Sequence, residues 1–290
     1  YLYRRTMIRY NAKTERTMKM SGVDWEKYIP MMKERREWMM QQPHEDVWIT
    51  SHDGLKLHGT YFKGDEGKKA VICFHGYTSE GLNDYGSLSN YYLKHGFRML
   101  LVDLRAHGKS EGEHIGFGNM DRLDGARWVD WMVEKAGSDV QILLHGNSMG
   151  SATVCMMSGL ELPPQVKGII SDCAFTSMKD VFTHVLHSMY HIPAFPMLQL
   201  ADWANKKKVG YGLDDLSSAR EVKKAKVPFL IIHREDDVFV PCWMTEEIYK
   251  NCASPKTKLI VKGAGHGESY YKDTEAYEKA MDSFIGGIIK

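Results

Sequence analysis

The chain has 290 residues, enough for one large α/β domain with an insertion or for two small domains. Hydrophobic residues make up 43% and charged residues 26%, which excludes wholesale disorder. A net charge of +1 argues against nucleic acid as a partner, and five scattered cysteines with no CxxC pair argue against a disulfide framework.

Residues 1–46 read as a basic arm followed by a helix. Residues 1–22 hold Arg4, Arg5, Arg9, Lys13, Arg16 and Lys19 against a single acid, Glu15. That bias fits the cytoplasmic flank of a membrane anchor upstream of Tyr1, the other reading being a solvated arm. The expected location is therefore cytoplasmic, with the cysteine usage of a reducing compartment and an optional anchor at this end. Asp24 is placed to cap a helix running to about Gln41, with Trp25, Tyr28, Ile29, Met32, Arg36 and Met39 at helical spacing. Pro43 ends it. Val47–Ser51 and Leu55–Phe62 then flank Asp53-Gly54, the pattern of a β-hairpin.

From Ala70 onward strands and helices alternate. Strands are expected at Ala70–Phe74, Phe97–Asp103, Val140–His145, Val166–Asp172, Val227–His233 and Leu259–Val261. Helices fall near Gly86–Lys94, Asp121–Lys135, Met149–Leu160, Thr245–Cys252 and Thr274–Ile285. Short apolar strands separated by helices mark an α/β fold, a mostly parallel sheet covered on both faces. The expected core comprises residues 47–175 and 217–290. Residues 176–216 are too long and too apolar for a single connecting helix and read as an inserted helical lid. Its uncharged run Val181–Ala201 is broken by Pro193 and Pro196, and it crosses no membrane. Within it Phe182, Met189 and Phe195 are expected to line the substrate's apolar group.

One constellation carries chemistry. Gly146-Asn147-Ser148-Met149-Gly150 joins a buried strand to an apolar helix, the context in which G-x-S-x-G marks a nucleophilic serine. The turn must be so sharp that side chains two residues either side would clash, and glycine removes both. The helix that begins at Met149 aims backbone N–H groups at charge developing beside Ser148. The acid and histidine should follow in that order. Asp236 and Asp237 both lie just beyond the strand Val227–His233, and His266 lies in the glycine-rich loop Gly263–Gly267 beyond the last strand. Asp180, His184, His187 and His191 share helical spacing, but no H-E-x-x-H accompanies them, so no metal is expected; nor is any cofactor, since Gly116-Phe117-Gly118 lacks the rest of a dinucleotide fingerprint.

With these motifs in order, the chain resembles the α/β-hydrolase superfamily, in its lysophospholipase-like and serine-aminopeptidase-like branch with a helical cap, from about Val47 to Ile285. Phe74-His75-Gly76-Tyr77 resembles the oxyanion loop of that family. Asp103–Ser110 resembles its D-x-R-x-H-G-x-S turn, with Ala106 in place of a glycine. His233–Pro241 resembles H-G-x-x-D-x-x-V-P, with Arg234 in place of the glycine, and this alignment puts the acid on Asp237 rather than Asp236. The resemblance implies a Ser148–His266–Asp237 triad, with the backbone N–H groups of Tyr77 and Met149 as the oxyanion hole. The expected activity is that of a serine hydrolase of a small-molecule carboxylic ester, and the apolar residues of the lid favour an apolar acyl or aryl group. A peptidase, an acyltransferase or thioesterase, and a non-catalytic binding protein on the same fold are the other readings.

Overall fold

The computed structural model describes residues 2–9 and 22–290. Eight strands form one sheet in the order β1-β2-β4-β3-β5-β6-β7-β8: β1 His44–Thr50, β2 Lys56–Phe62, β3 Lys69–Phe74, β4 Arg98–Val102, β5 Gln141–Asn147, β6 Val166–Asp172, β7 Phe229–Arg234 and β8 Lys256–Val261. The hairpin β1–β2 and the pair β2–β4 are antiparallel; β4, β3 and β5 to β8 run parallel. The inner strands β3 to β7 are largely apolar on both faces because both faces are covered, whereas the edge strand β8 exposes Thr257 and Lys258. Along β3, Ile72 and Phe74 enter one core while Val71 and Cys73 enter the other.

The longer helices are α1 Leu2–Met7, α2 Ile29–Met40, α3 Ser89–Lys94, α4 Asp121–Ala136, α5 Met149–Met157, α6 Met178–Tyr190, α7 Met197–Val209, α8 Cys242–Asn251 and α9 Thr274–Ile288. No helix among the described residues is long and apolar enough to cross a membrane. The expected start of the first long helix at Asp24 is displaced. Asp24 does accept the Glu26 N–H at 3.3 Å, but only a 3₁₀ turn over Glu26–Tyr28 follows, and α2 begins at Ile29. Pro30 is the reason: it has no N–H to give a carbonyl four residues back, so it fits the first turn of a new helix and not the middle of an older one. Of the basic arm, Lys13, Arg16 and Lys19 lie outside the described residues.

Chain order and spatial order diverge at β3, which has β4 on one side and β5 on the other. In an open parallel sheet that is where a crevice opens beyond the carboxyl ends of the strands. Phe74 pairs with Gly146 in register, so the loop after β3 and the turn after β5 leave the sheet side by side.

Candidate active site

The turn at Ser148 is held by the absence of two methyl groups. A Cβ on Gly146 would lie 2.2 Å from the Gly150 carbonyl oxygen, and one on Gly150 would lie 1.9 Å from that of Phe74. Ser148 itself sits at φ 52°, ψ −111°, a conformation that costs a side-chain-bearing residue energy and places its side chain at the tip of the turn. Its N–H is tied to the Asp172 carbonyl at 2.8 Å, and α5 starts at the next residue.

Ser148 Oγ lies 3.0 Å from His266 Nε2, and His266 Nδ1 lies 2.7 Å from Asp237 Oδ2. It is Asp237, not the exposed Asp236, that meets the histidine. The other oxygen of Asp237 accepts the N–H groups of Phe239 and Val240 at 2.9 and 2.8 Å. Burial pushes this carboxyl up, but the facing His266 and then the Arg234 guanidinium outweigh it and hold it well below the usual carboxylate range. An ionised acid bonded to Nδ1 leaves Nε2 to accept a proton from Ser148.

Two loops carry these side chains, and each is braced. His233, kept neutral by burial, which lowers it to about 4, donates from Nε2 to the Val240 carbonyl at 2.9 Å and closes the loop that bears Asp237. The histidine loop is clamped from the other end of the chain. Glu268 accepts the Gly265 N–H at 2.8 Å and the Tyr28 hydroxyl at 2.7 Å, with Lys27 at 3.0 Å, while Trp25 packs against Gly267. This clamp has no signature in the sequence, because its partners are about 240 residues apart and belong to no local motif.

In the loop after β3, Gly76 donates its N–H to Asp84 at 2.7 Å and Thr78 donates to His107 Nε2 at 3.2 Å, and the Tyr77 amide lies between them. His107 accepts because burial lowers it to about 3 and keeps it neutral, with its Nδ1 facing the Arg105 carbonyl at 2.9 Å. His75 braces the same loop, with Nδ1 2.7 Å from the Gly76 carbonyl and Nε2 accepting the Leu104 N–H at 3.0 Å. The Tyr77 ring stacks on Phe117, and Tyr77 lines the same cavity as Ser148. Met149 is the first residue of α5, where a backbone N–H has no carbonyl within the helix to meet.

Arg234, the departure from glycine, is 1% exposed. Its Nη2 lies 3.1 Å from Asp172 Oδ1 and its Nη1 3.7 Å from Asp237 Oδ2. Asp172 also accepts the Tyr277 hydroxyl at 3.0 Å. A buried cation thus sits between the buried carboxylates of Asp172 and Asp237. The residue type was visible in the sequence; its partners were not.

A cavity of about 530 Å³ opens at Ser148 and His266. Its apolar wall comes from Trp25, Ile29 and Met32 on the N-terminal side together with Phe239 and Tyr271, and Lys33 and Arg36 add charge. Phe182, Met189 and Phe195, expected to line the pocket, are not part of this wall. Phe182 meets Phe117 edge-on at 5.1 Å, Met189 is half-buried on α6, and Phe195 is 71% exposed. The physical reason lies in the two-proline turn between α6 and α7. It carries Phe195 outward, while the helices bury Met178, Val181, Leu186 and Leu198 against the core. Asp180, His184, His187 and His191 do not converge either: Asp180 sits at the capped start of α6, His184 is bonded to the Val238 carbonyl, and His191 ends the helix.

The alpha/beta hydrolase fold family matches residues 69–204. The uncharacterized protein YqkD of Bacillus subtilis is 28% identical over 82% of this chain and 77% of its own length. Lysophosphatidylserine lipase ABHD12 of Xenopus tropicalis is 26% identical over 66% of this chain and 50% of its own. Among solved structures, the Pyrococcus furiosus esterase Pf2001 superposes with a TM-score of 0.70 at 20% identity, covering 87% of this chain and 93% of that one. Acetyl xylan esterase 1 from Thermoanaerobacterium superposes at 0.63 with 18% identity, covering 94% and 99%.

Proposed function

From its match to the alpha/beta hydrolase fold family over residues 69–204, we propose that the chain is a serine hydrolase of that superfamily and cleaves carboxylic esters with an apolar acyl or aryl group. The observation that carries this reading is the continuous relay Ser148 Oγ–His266 Nε2 and His266 Nδ1–Asp237 Oδ2 at 3.0 and 2.7 Å, opening on a cavity with an apolar wall. In the proposed mechanism His266 takes the Ser148 proton as Oγ attacks the acyl carbonyl, and Asp237 stabilises the imidazolium. The N–H groups of Met149 and Tyr77 receive the oxyanion, each worth about 3–4 kcal/mol in the transition state. His266 then protonates the leaving alcohol, and water, deprotonated by the same histidine, releases the acid.

A fluorophosphonate probe should label wild-type protein and leave Ser148→Ala unlabelled. A panel of aryl esters of increasing acyl length, with amino-acid anilides and acyl thioesters alongside, tests the substrate class. Preference for esters is expected. Faster turnover of anilides replaces the reading with a peptidase, and of thioesters with a thioesterase.

A further inference from the structure

We propose that the turn between α6 and α7, with the outer face of α7, is a docking surface for an anionic phospholipid bilayer. Three large apolar side chains stand in water there: Phe195 at 71% exposure, Leu200 at 62% and Trp203 at 59%. Leu200, Trp203 and Lys207 fall at i, i+3 and i+7 of α7, one stripe along the helix. The opposite face holds the fold together, with Leu198 and Asn205 buried.

Charge says what covers the stripe. Between Tyr190 and Gly210 there is one acid, Asp202, and it is paired with Lys206 at 2.8 Å. Lys207 lies over the Trp203 ring at 5.0 Å, and Lys208 lies over the Tyr3 ring at 5.5 Å. The Tyr3 hydroxyl donates to Asn205 at 3.1 Å, which brings α1, with its exposed Arg4 and Arg5, against α7. A cationic rim around aromatic and aliphatic tips is the composition that enters the headgroup layer of an anionic membrane. A second copy of the chain is a poorer occupant, because the same patch on the partner brings no unpaired acid to meet Lys207 and Lys208, Asp202 being held by Lys206. The helix α6 leads from this surface to the acid loop, where His184 Nε2 meets the Val238 carbonyl at 3.0 Å.

The surface is tested by sedimentation of the whole chain, bearing Ser148→Ala, with phosphatidylcholine vesicles made with and without phosphatidylglycerol. Binding is read without turnover, so failure of the hydrolase reading and failure of this one are distinguishable. Binding to the phosphatidylglycerol vesicles is expected at low salt and should weaken as salt rises. Leu200→Ser with Trp203→Ser, and separately Lys207→Gln with Lys208→Gln, should each reduce it about tenfold or more. If the serine pair lowers the melting temperature, Leu200→Ser alone replaces it. No sedimentation with either vesicle overturns the proposal, as do variants that bind like the parent. A dimer in solution that the serine pair splits, without vesicle binding, assigns the surface to a second copy instead.

Discussion

Between Gly146 and Gly150 an added methyl group would meet backbone atoms about 2 Å away, whereas between Tyr190 and Trp203 some of the largest apolar side chains of the molecule stand in solvent. The first region is over-determined. Its backbone is boxed in by β3, β5 and the start of α5, so the chemistry it can host is set by geometry. The second is held by one buried face of each helix, and its outer face is free to change without disturbing the sheet. Residues 176–216, read from the sequence as a lid, contribute none of the described lining of the cavity at Ser148, which comes mainly from α2 and from the loops of the core.

The largest effect is expected at Asp237, the proposed acid. Asp237→Asn should lower kcat by about 10⁴, because an amide no longer fixes the tautomer of His266. Asp236→Asn, at an exposed position one residue away, should leave kcat within about threefold, surface changes being small. Equal losses in the two variants would mean that the acid loop rearranges when substrate binds. A smaller loss is expected behind it. Arg234→Met leaves two buried carboxylates facing each other and should cost roughly 3–5 kcal/mol of stability in denaturant unfolding. Adding Asp172→Asn should restore most of that stability. If Arg234 also positions Asp237, kcat should stay depressed in the double variant with KM unchanged; full recovery of kcat would make the pair purely structural.

A third comparison sets the two candidate walls against each other. Met32→Ala should shift the preferred acyl length in an ester panel, since each methylene loses about 0.8 kcal/mol of burial, nearly fourfold in rate. Phe195→Ala should leave the profile as it was. The reverse result would move the acyl wall to the turn between α6 and α7.

A further effect, on stability alone, lies at the joint between the regions. Asp121 Oδ2 accepts the Gly118 N–H at 2.7 Å and so holds the loop whose Phe117 bridges Tyr77 and Phe182. Burial pushes its carboxyl up to about 6. A folded value above the unfolded one means that this group's contribution to stability is complete below about pH 4 and is lost as pH rises through about 6. Near pH 7 the ionised group therefore costs on the order of 2–3 kcal/mol. Asp121→Asn keeps the acceptor and removes the charge, so thermal melts should show a gain near pH 7 that disappears near pH 4. A gain independent of pH would point to repacking instead.

Whatever depends on neighbours along the chain could be read from the order of the residues. Alternating apolar runs defined the strands, because a strand covered on both faces must be apolar throughout. The two glycines around Ser148 marked the elbow, because the clash they avoid lies within five residues or on the adjoining strand. Two adjacent aspartates left the acid open on spacing alone, and only the resemblance chose Asp237. The tertiary structure decided what depends on residues far apart. It brought Tyr28 and Trp25 against the histidine loop, set Arg234 between Asp172 and Asp237, and put Met32 rather than Met189 in the wall of the cavity that Ser148 lines. An uncharged run such as Val181–Ala201 states how much apolar surface is present but not which of it faces inward. That choice is made by the direction of a helix and of a proline-bent turn, and it rests on contacts with the rest of the fold, which no local pattern records.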